Sequence, residues 1–439
     1  MNIGIIGTGS AAAVCAVCIF KCAEIHYNQQ PLDIKVSVIS DPNVPKISVG
    51  ESLSPGLFNQ IRDSLSMISI KDFDETEMLL RLGARHTWEN NENTMFDIEY
   101  LPSGSNVSNL NRCGAHMSSE KFSPFVFKRI NKIYGNKLLE IHDNIKHISQ
   151  NDNSAIAHGE NDTYSFDYIF DCRGFPTKEE FNSGKYNFPE FETVNSVLLF
   201  RYEKEYIHPY SEVLFHKNGW QFGINTRKSK AFGYLFNKDI TDKEDALTHF
   251  KELNKDIPID NVKELNWPSY SVKKAVDGRI ICMGNKLYFY EPIQGIPLHN
   301  YFTFTRHVMV KIFNNDNDSS DDFLRCFTDP RLPFEEMINT MHTNLTRRFY
   351  EIVLFNYAGN HLNSKFWDTI SHKSRQHLSK STDWMNFCNR YVNWKYSYDR
   401  KLTNYPNFEP HTNVVIRQYL EGLNIDPEKF VNEEYLAPK

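Results

Sequence analysis

Two short stretches carry the residue types that chemistry needs. Near the start, Gly7-Thr8-Gly9-Ser10-Ala11-Ala12 sets two glycines and small neighbours in the order G-x-G-x-x-A. The first glycine makes a tight turn, the second lets backbone approach a pyrophosphate, and the small third residue lets a helix pack on a strand. A helix beginning there adds free amide N–H groups and a favourable dipole for anionic phosphates. Two-thirds of the way along, Tyr290-Glu291-Pro292-Ile293-Gln294-Gly295-Ile296-Pro297 places one acid and one amide among two prolines and a glycine. That stretch is a bend, and it reads either as a turn or as a site. His86, beside Arg85, is a candidate acid or base, although a lone histidine more often packs or meets solvent.

These residues need elements to hold them. "NIGII" reads as a buried strand, "AAVCAVCIFKCAEIH" as a helix, and "DIKVSVIS" as a second strand ending near Asp41, a βαβ opening. Ser40 or Asp41 then stands where an acidic residue would hold a ribose hydroxyl. "NDTYSFDYIFDCRGF" reads as a further strand ending in a glycine turn at Gly174. "NSVLLFRYE", "SEVLFHKNGWQFGINT" and "KAFGYLFN" read as successive strands of a β-rich layer. "TDKEDALTHFKEL" is a helix capped at Thr241 or Asp242, and the chain from Asn339 onward is helical and aromatic. The Asn- and Asp-rich stretches "ENNENT" and "FNNDNDSSDD" are expected as surface loops.

The fold class is therefore α/β: a Rossmann-like core with an inserted β-rich layer over residues 1–335, and a mostly helical part over residues 336–439. A chain of 439 residues fits two or three units on a prior of about 150 residues each. Forty per cent apolar residues, with 32 Phe and 22 Tyr, supply ample core. A formal charge of −6 gives no electrostatic footprint for nucleic acid or for an anionic membrane. The apolar N-terminus lacks a basic leader and is broken by glycines, and no window reaches the ~18 uninterrupted apolar residues of a spanning helix. The expected location is cytoplasmic. Cys15, Cys18 and Cys22 share nearby helix faces without a matching fourth ligand, so they read as packed thiols and no metal is expected.

After the second strand comes "DPNVPKISVGESLSP". Here the chain resembles the flavin-dependent halogenases of the tryptophan-halogenase type, which carry V-P-[RK]-I-G-V-G-E-A/S at this place. Further matches follow in order: "DYIFDCRGF", "NGWQFGIN", "FGYLFN", "DALTHF", "GRIICMGN", "EPIQGI" and "FYEIVLFNYAGNHLNSKFW". Together they cover roughly residues 1 to 370.

The resemblance implies a flavoprotein-monooxygenase-like core that binds FAD, supplied in reduced form by a separate flavin reductase. With oxygen and halide it would make hypohalous acid, which halogenates an electron-rich aromatic small molecule. It implies FAD contacts at Gly7, Gly9, Ser10, Ala11, Ala12, Ser40 and Asp41. Gly50, Glu51 and Ser52 would lie in a segment strapping the flavin. Gly284-Asn285 would stand where the family has Gly-Asp, and Glu291-Pro292 at the flavin edge. Gly295 and Ile296 would offer backbone to halide. Trp220, Phe222 and Ile224 would line the barrier between flavin and substrate.

Three positions depart from the family. Trp220-Gln221-Phe222-Gly223-Ile224-Asn225 replaces W-x-W-x-I-P, so Asn225 removes a rigid proline. Arg81, in "LLRLGARHTW", takes the place of the family's lysine; arginine donates hydrogen bonds as a permanent cation and offers no neutral amine. Gln294 falls where a glutamate pairs with that lysine. These departures keep two alternatives open: a flavin-dependent monooxygenase or oxidase, and a non-catalytic flavin-binding relative. The sequence is compatible with a monomer or a homo-oligomer.

Overall fold

The computed structural model describes residues 1–28, 31–44, 49–67, 69–89, 91–100, 110–205, 208–293, 295, 297–314, 329, 331–359, 362–395 and 413–436. The apolar run of the first strand, Asn2–Ile6, becomes the middle of a six-stranded sheet. The order is Val276–Asp277, Ile280–Cys282, Tyr168–Asp171, Asn2–Ile6, Lys35–Ser40, Leu138–His142. All neighbours are parallel except the edge pair Val276–Asp277 and Ile280–Cys282. Parallel strands covered on both faces need near-continuous hydrophobic runs, and Ile3, Ile5, Val36, Val38, Ile169 and Phe170 provide them.

The chain runs from the first strand to Lys35–Ser40 on one side and later returns at Tyr168–Asp171 on the other. That reversal leaves a crevice at the carboxyl ends of the strands, where open α/β sheets take ligands. Between the first two strands runs the helix Ser10–Tyr27. By length and composition alone it would suffice to cross a membrane. In the fold it is a core helix: Ala12 to Phe20, Cys22 and Ala23 are buried, Cys15 and Cys18 among them, and it packs on the helices Ser119–Tyr134 and Pro297–Asn314.

The stretch expected as one strand, "NDTYSFDYIFD", is two. Thr163–Phe166 joins a small antiparallel sheet with Ala155–His158 and His147–Gln150, while Tyr168–Asp171 joins the parallel one. Asp167 breaks the run, because its side chain accepts from the Asn2 N–H at 2.7 Å and ties the junction to the first strand. A second correction concerns "ENNENT". Asn91–Glu99 is a strand paired antiparallel with Gly83–Trp88, so cross-strand pairing overrides its asparagine-rich composition. "FNNDNDSSDD" lies mostly outside the described residues.

The β-rich layer is a seven-stranded sheet in the order Lys263–Asn266, Ser196–Glu203, Ser229–Phe236, Gly219–Asn225, Tyr210–His216, Gly83–Trp88, Asn91–Glu99. On one side it carries the helix Lys243–Leu253, capped by Asp242, whose side chain accepts from the Glu244 N–H at 2.8 Å. Beyond it come the helices Phe334–Tyr357, Lys365–Lys380, Thr382–Lys395 and Asn413–Gly422. Their buried Phe355, Tyr357, Trp367 and Trp384 belong to the same apolar cluster as the helix Ser10–Tyr27.

Candidate active site

Three loops meet at the carboxyl ends of the parallel strands. Gly7 has φ +115°, and a Cβ there would lie 2.6 Å from the carbonyl oxygen of Cys172, so only glycine fits this turn. The Gly7 N–H donates to the Ile39 carbonyl at 2.7 Å. Gly9 is the N-cap of the helix, supplies no capping side chain, and has open space where a Cβ would stand. From the third strand's far neighbour, Gly284 at φ +59° comes so close that its Cβ would lie 2.8 Å from that of Ala11. Two glycines and a bare helix N-terminus thus make a backbone cradle of the kind that suits an anionic group.

Ser40 ends the second strand, and its carbonyl accepts from the Asp143 N–H. Asp41 accepts from the Asn43 N–H at 2.8 Å in a local turn. The Asn285 carbonyl accepts from the Tyr270 hydroxyl at 2.6 Å, which fixes the turn Gly284–Lys286.

The short strand Glu51–Leu53 links this cradle to the second cluster. Because side chains alternate along a strand, Glu51 and Ser52 point in opposite directions. Glu51 accepts from the Ser10 hydroxyl at 2.5 Å, and burial raises its carboxyl to about 7 against the lowering effect of that hydrogen bond. Ser52 accepts from Arg81 Nη1 at 2.8 Å. Both strands pair with Gly114–Met117 in one three-stranded sheet, which is what brings residues 52 and 81 together.

Arg81 ends the strand Leu79–Arg81 and is 7% exposed. Its Nε donates to the Gly83 carbonyl at 3.2 Å, and its guanidinium lies 5.1 Å from the Tyr100 ring centroid. Among the described residues no carboxylate pairs with it. His116 sits alongside, bonded to Ser211 at 2.8 Å, and burial together with the Arg81 charge pulls its imidazole down to about 3, so it stays neutral. A buried cation without a counter-charge costs several kcal/mol unless an anion or water meets it.

Gly295, ahead of the helix Pro297–Asn314, lies against Ser52. The Ser52 Oγ lies 3.7 Å from where a Cβ on Gly295 would stand. The Gly295 N–H donates to the Pro292 carbonyl at 2.9 Å, so the turn uses it. Gln294 and Ile296, expected as partner of Arg81 and as halide contact, lie outside the described residues. Glu291 is 2% exposed. Its Oε2 accepts from the Thr193 and Tyr357 hydroxyls, each at 2.7 Å, and burial raises it to about 8.

On the strand Gly219–Asn225, Trp220, Phe222 and Ile224 share one face. Trp220 is buried and turns toward the Tyr357 phenol, the Phe222 ring covers Gly233, and Ile224 Cγ2 packs against Gly50. An apolar stripe therefore runs from the helical cover to the strap. On the other face Asn225 donates to the Tyr210 carbonyl and to Glu212. His86 is 1% exposed and stacks on Phe96 at 4.4 Å, within the sheet and apart from the Arg81 cluster.

The hydroxyls of Thr193 and Tyr357 and the rings of Tyr100 and His116 were not found by sequence reasoning. They lie far along the chain from the residues they serve, and no local motif marks them.

The parallel sheet with a glycine turn at its switch point is the architecture of a flavoprotein-type nucleotide-binding fold. The model of the tryptophan halogenase family matches residues 2–117 and 116–396, and the chain belongs to that family of flavin-dependent enzymes. Its fold is similar to that of a tryptophan halogenase from Shewanella frigidimarina NCIMB 400, at TM-score 0.73 and 14% identity over 99% of this chain and 94% of that one. It is similar also to the flavin-dependent halogenase BrvH from Brevundimonas sp. BAL3, at 0.71 and 15% over 99% and 94%. The tryptophan 6-halogenase SttH from Streptomyces toxytricini gives 0.71 and 12% over 99% and 95%. No curated protein matches the chain.

Proposed function

We propose that the chain is an FAD-dependent halogenase that makes hypohalous acid from halide and oxygen and delivers it to an electron-rich aromatic or heteroaromatic small molecule. The observation that carries this reading is Arg81: a buried cation, fixed by Ser52, without a carboxylate partner among the described residues, one strand from the nucleotide cradle. A permanent cation in a low-dielectric wall attracts a small anion far more strongly than the same cation in water.

The cradle fits FAD: Gly7, Gly9 and Gly284 would hold the pyrophosphate, Ser40 or Asp41 the ribose, and Gly50 to Ser52 the strap over the ring. Bound in reduced form, FAD would supply the activation of oxygen, with a separate reductase or free reduced flavin renewing it. The chain's own residues do the rest. Trp220, Phe222 and Ile224 keep bulky substrates from the flavin side while a small oxidant passes. Arg81 holds hypohalite by charge and hydrogen bonding and orients it, since a guanidinium offers no amine to form an N-halogen bond. Residues 336–439 would cover the aromatic substrate. Halide would meet Arg81 and the backbone at Ile296, because the Gly295 N–H already serves the turn.

A second reading, a flavin monooxygenase or oxidase, is favoured by one observation, the replacement of the family's proline by Asn225 at the end of the barrier strand. The test supplies protein, FAD, a reductase system, oxygen and chloride, bromide or iodide in turn to a panel of phenols and indoles. Catalase is included, and products are analysed by mass. Halogen incorporation above a protein-free control is the expected result; oxygen insertion instead supports the second reading, and binding of FAD without either product a non-catalytic relative.

A further inference from the structure

Glu291 stands in the loop between Tyr288–Phe289 and the helix Pro297–Asn314, yet its carboxyl serves neither the cradle nor Arg81. It reaches back between two other elements. Thr193 lies ahead of the strand Ser196–Glu203, and Tyr357 is the last residue of the long helix Phe334–Tyr357. Both hydroxyls donate to the same oxygen, Oε2, while Oε1 is buried without a hydrogen-bond partner. Tyr350 and Tyr357 on the helix lie close enough to feel its charge, and Trp220 on the barrier strand reaches the Tyr357 phenol. Beside Thr193 stands another acid, Glu192, whose carboxylate accepts from the Ser269 N–H at 2.6 Å and from the Asn195 amide. Among the described residues no Arg, Lys or His pairs with Glu291.

We infer that Glu291 is a positioning residue that acts as a neutral carboxylic acid, pinning the flavin-edge loop to Thr193 and Tyr357 and loosening that loop when it ionises. This deepens the flavin-site reading above and rests on it only for the ligand that reports the loop. The physical reason is the asymmetry of the two oxygens. In the neutral acid the proton sits on Oε1, which leaves Oε2 to accept both hydroxyls, and an unpaired O–H there costs less than an unpaired charge. On ionisation a charge appears against apolar rings with one oxygen unmet, and the cost is relieved only by admitting water, which moves the loop. The same burial explains why the proton is held to about pH 8.

Two measurements test it, one of them without flavin. First, oxidised FAD is titrated by fluorescence quenching from pH 6.5 to pH 9.5. Wild type is expected to lose about fivefold or more in affinity above pH 8, bounded by tenfold per pH unit for a single proton. Glu291→Gln, of the same shape and neutral at every pH, should lack this component and keep only what other groups, such as Glu51, contribute. Tyr357→Phe and Thr193→Val each remove a donor that favours the ionised form, so their losses should move to higher pH. Second, melting temperatures without FAD are followed from pH 5 to pH 9. The carboxyl's folded value is raised, so wild type should lose stability relative to Glu291→Gln as pH climbs from about 5 to about 8, and the gap should then hold constant. Identical pH profiles for wild type and Glu291→Gln overturn the inference, as does an unmoved or lowered midpoint in Tyr357→Phe. Should the chain bind no FAD or halogenate nothing while the melting gap opens as described, the functional reading fails and the role of Glu291 stands.

Discussion

Arg81 donates through Nη1 to the hydroxyl of Ser52 at 2.8 Å, and that hydroxyl lies beside Gly295. Two strands of one small sheet thereby bring a buried cation beside the loop that holds Gly295. Among the described residues no carboxylate meets that charge.

An anion should therefore stabilise the protein through Arg81. Adding chloride or bromide is expected to raise the melting temperature of wild type in step with RT ln(1 + [L]/Kd) and to leave Arg81→Met unchanged. At low halide Arg81→Met should be the more stable protein, by roughly 1 kcal/mol or more, because an uncompensated buried charge has been removed. Differential scanning fluorimetry across a halide series reads both. Equal halide responses in the two proteins would refute an anion site at Arg81.

Ser52→Ala keeps the cation and removes its anchor. With hypohalite held by a guanidinium that now wanders, product formation should fall about 10- to 100-fold while FAD affinity stays within about twofold. Arg81→Lys should change the rate in one direction or the other, since a lysine can present a neutral amine; no change at all would mean that Arg81 is not at the reacting end.

Gly284→Ala places a methyl 2.8 Å from the Ala11 Cβ at a φ of +59°. The strain is about 1–3 kcal/mol, and it falls on the loop that would hold FAD. Affinity for FAD, measured by quenching, should drop at least about tenfold, with a smaller fall in thermal stability.

Glu51, raised to about 7 by burial, binds a proton in the folded chain that the unfolded chain has released. Stability should decline as pH rises from about 4.5 to about 7 and level off above, and Glu51→Gln should remove that decline. Ser10→Ala, which takes away the hydrogen bond favouring the carboxylate, should extend the decline to higher pH. Urea midpoints across the range check the sign.

Phe222 lies across Gly233, where a Cβ would come within 2.1 Å of its ring. Phe222→Ala should open the barrier: hydrogen peroxide released per reduced flavin should rise, and oxygenated product should appear at the expense of halogenated product. An unchanged ratio would place the barrier elsewhere.

Much of this architecture was legible because it rests on local patterns. Gly7 and Gly9 between an apolar strand and an alanine-rich helix announce a phosphate cradle, since backbone geometry and sterics act within a few residues. Asp242 was readable as a cap for the same reason. The ordered motifs from "VGES" to "EPIQGI" carried the family and hence the fold. Composition misled at "ENNENT", where pairing with Gly83–Trp88 outweighed the preferences of asparagine.

The sequence by itself determined which side chains were available, Arg81, His86 and Glu291 among them. Only the tertiary structure decided what they face. Arg81 meets Ser52 because two strands share a third, Glu291 meets Thr193 and Tyr357 across gaps of 98 and 66 residues, and His86 disappears between rings. Burial and charge compensation are properties of neighbours in space, and the energy of an unpaired cation or a protonated carboxyl exists only once the fold has excluded water from it.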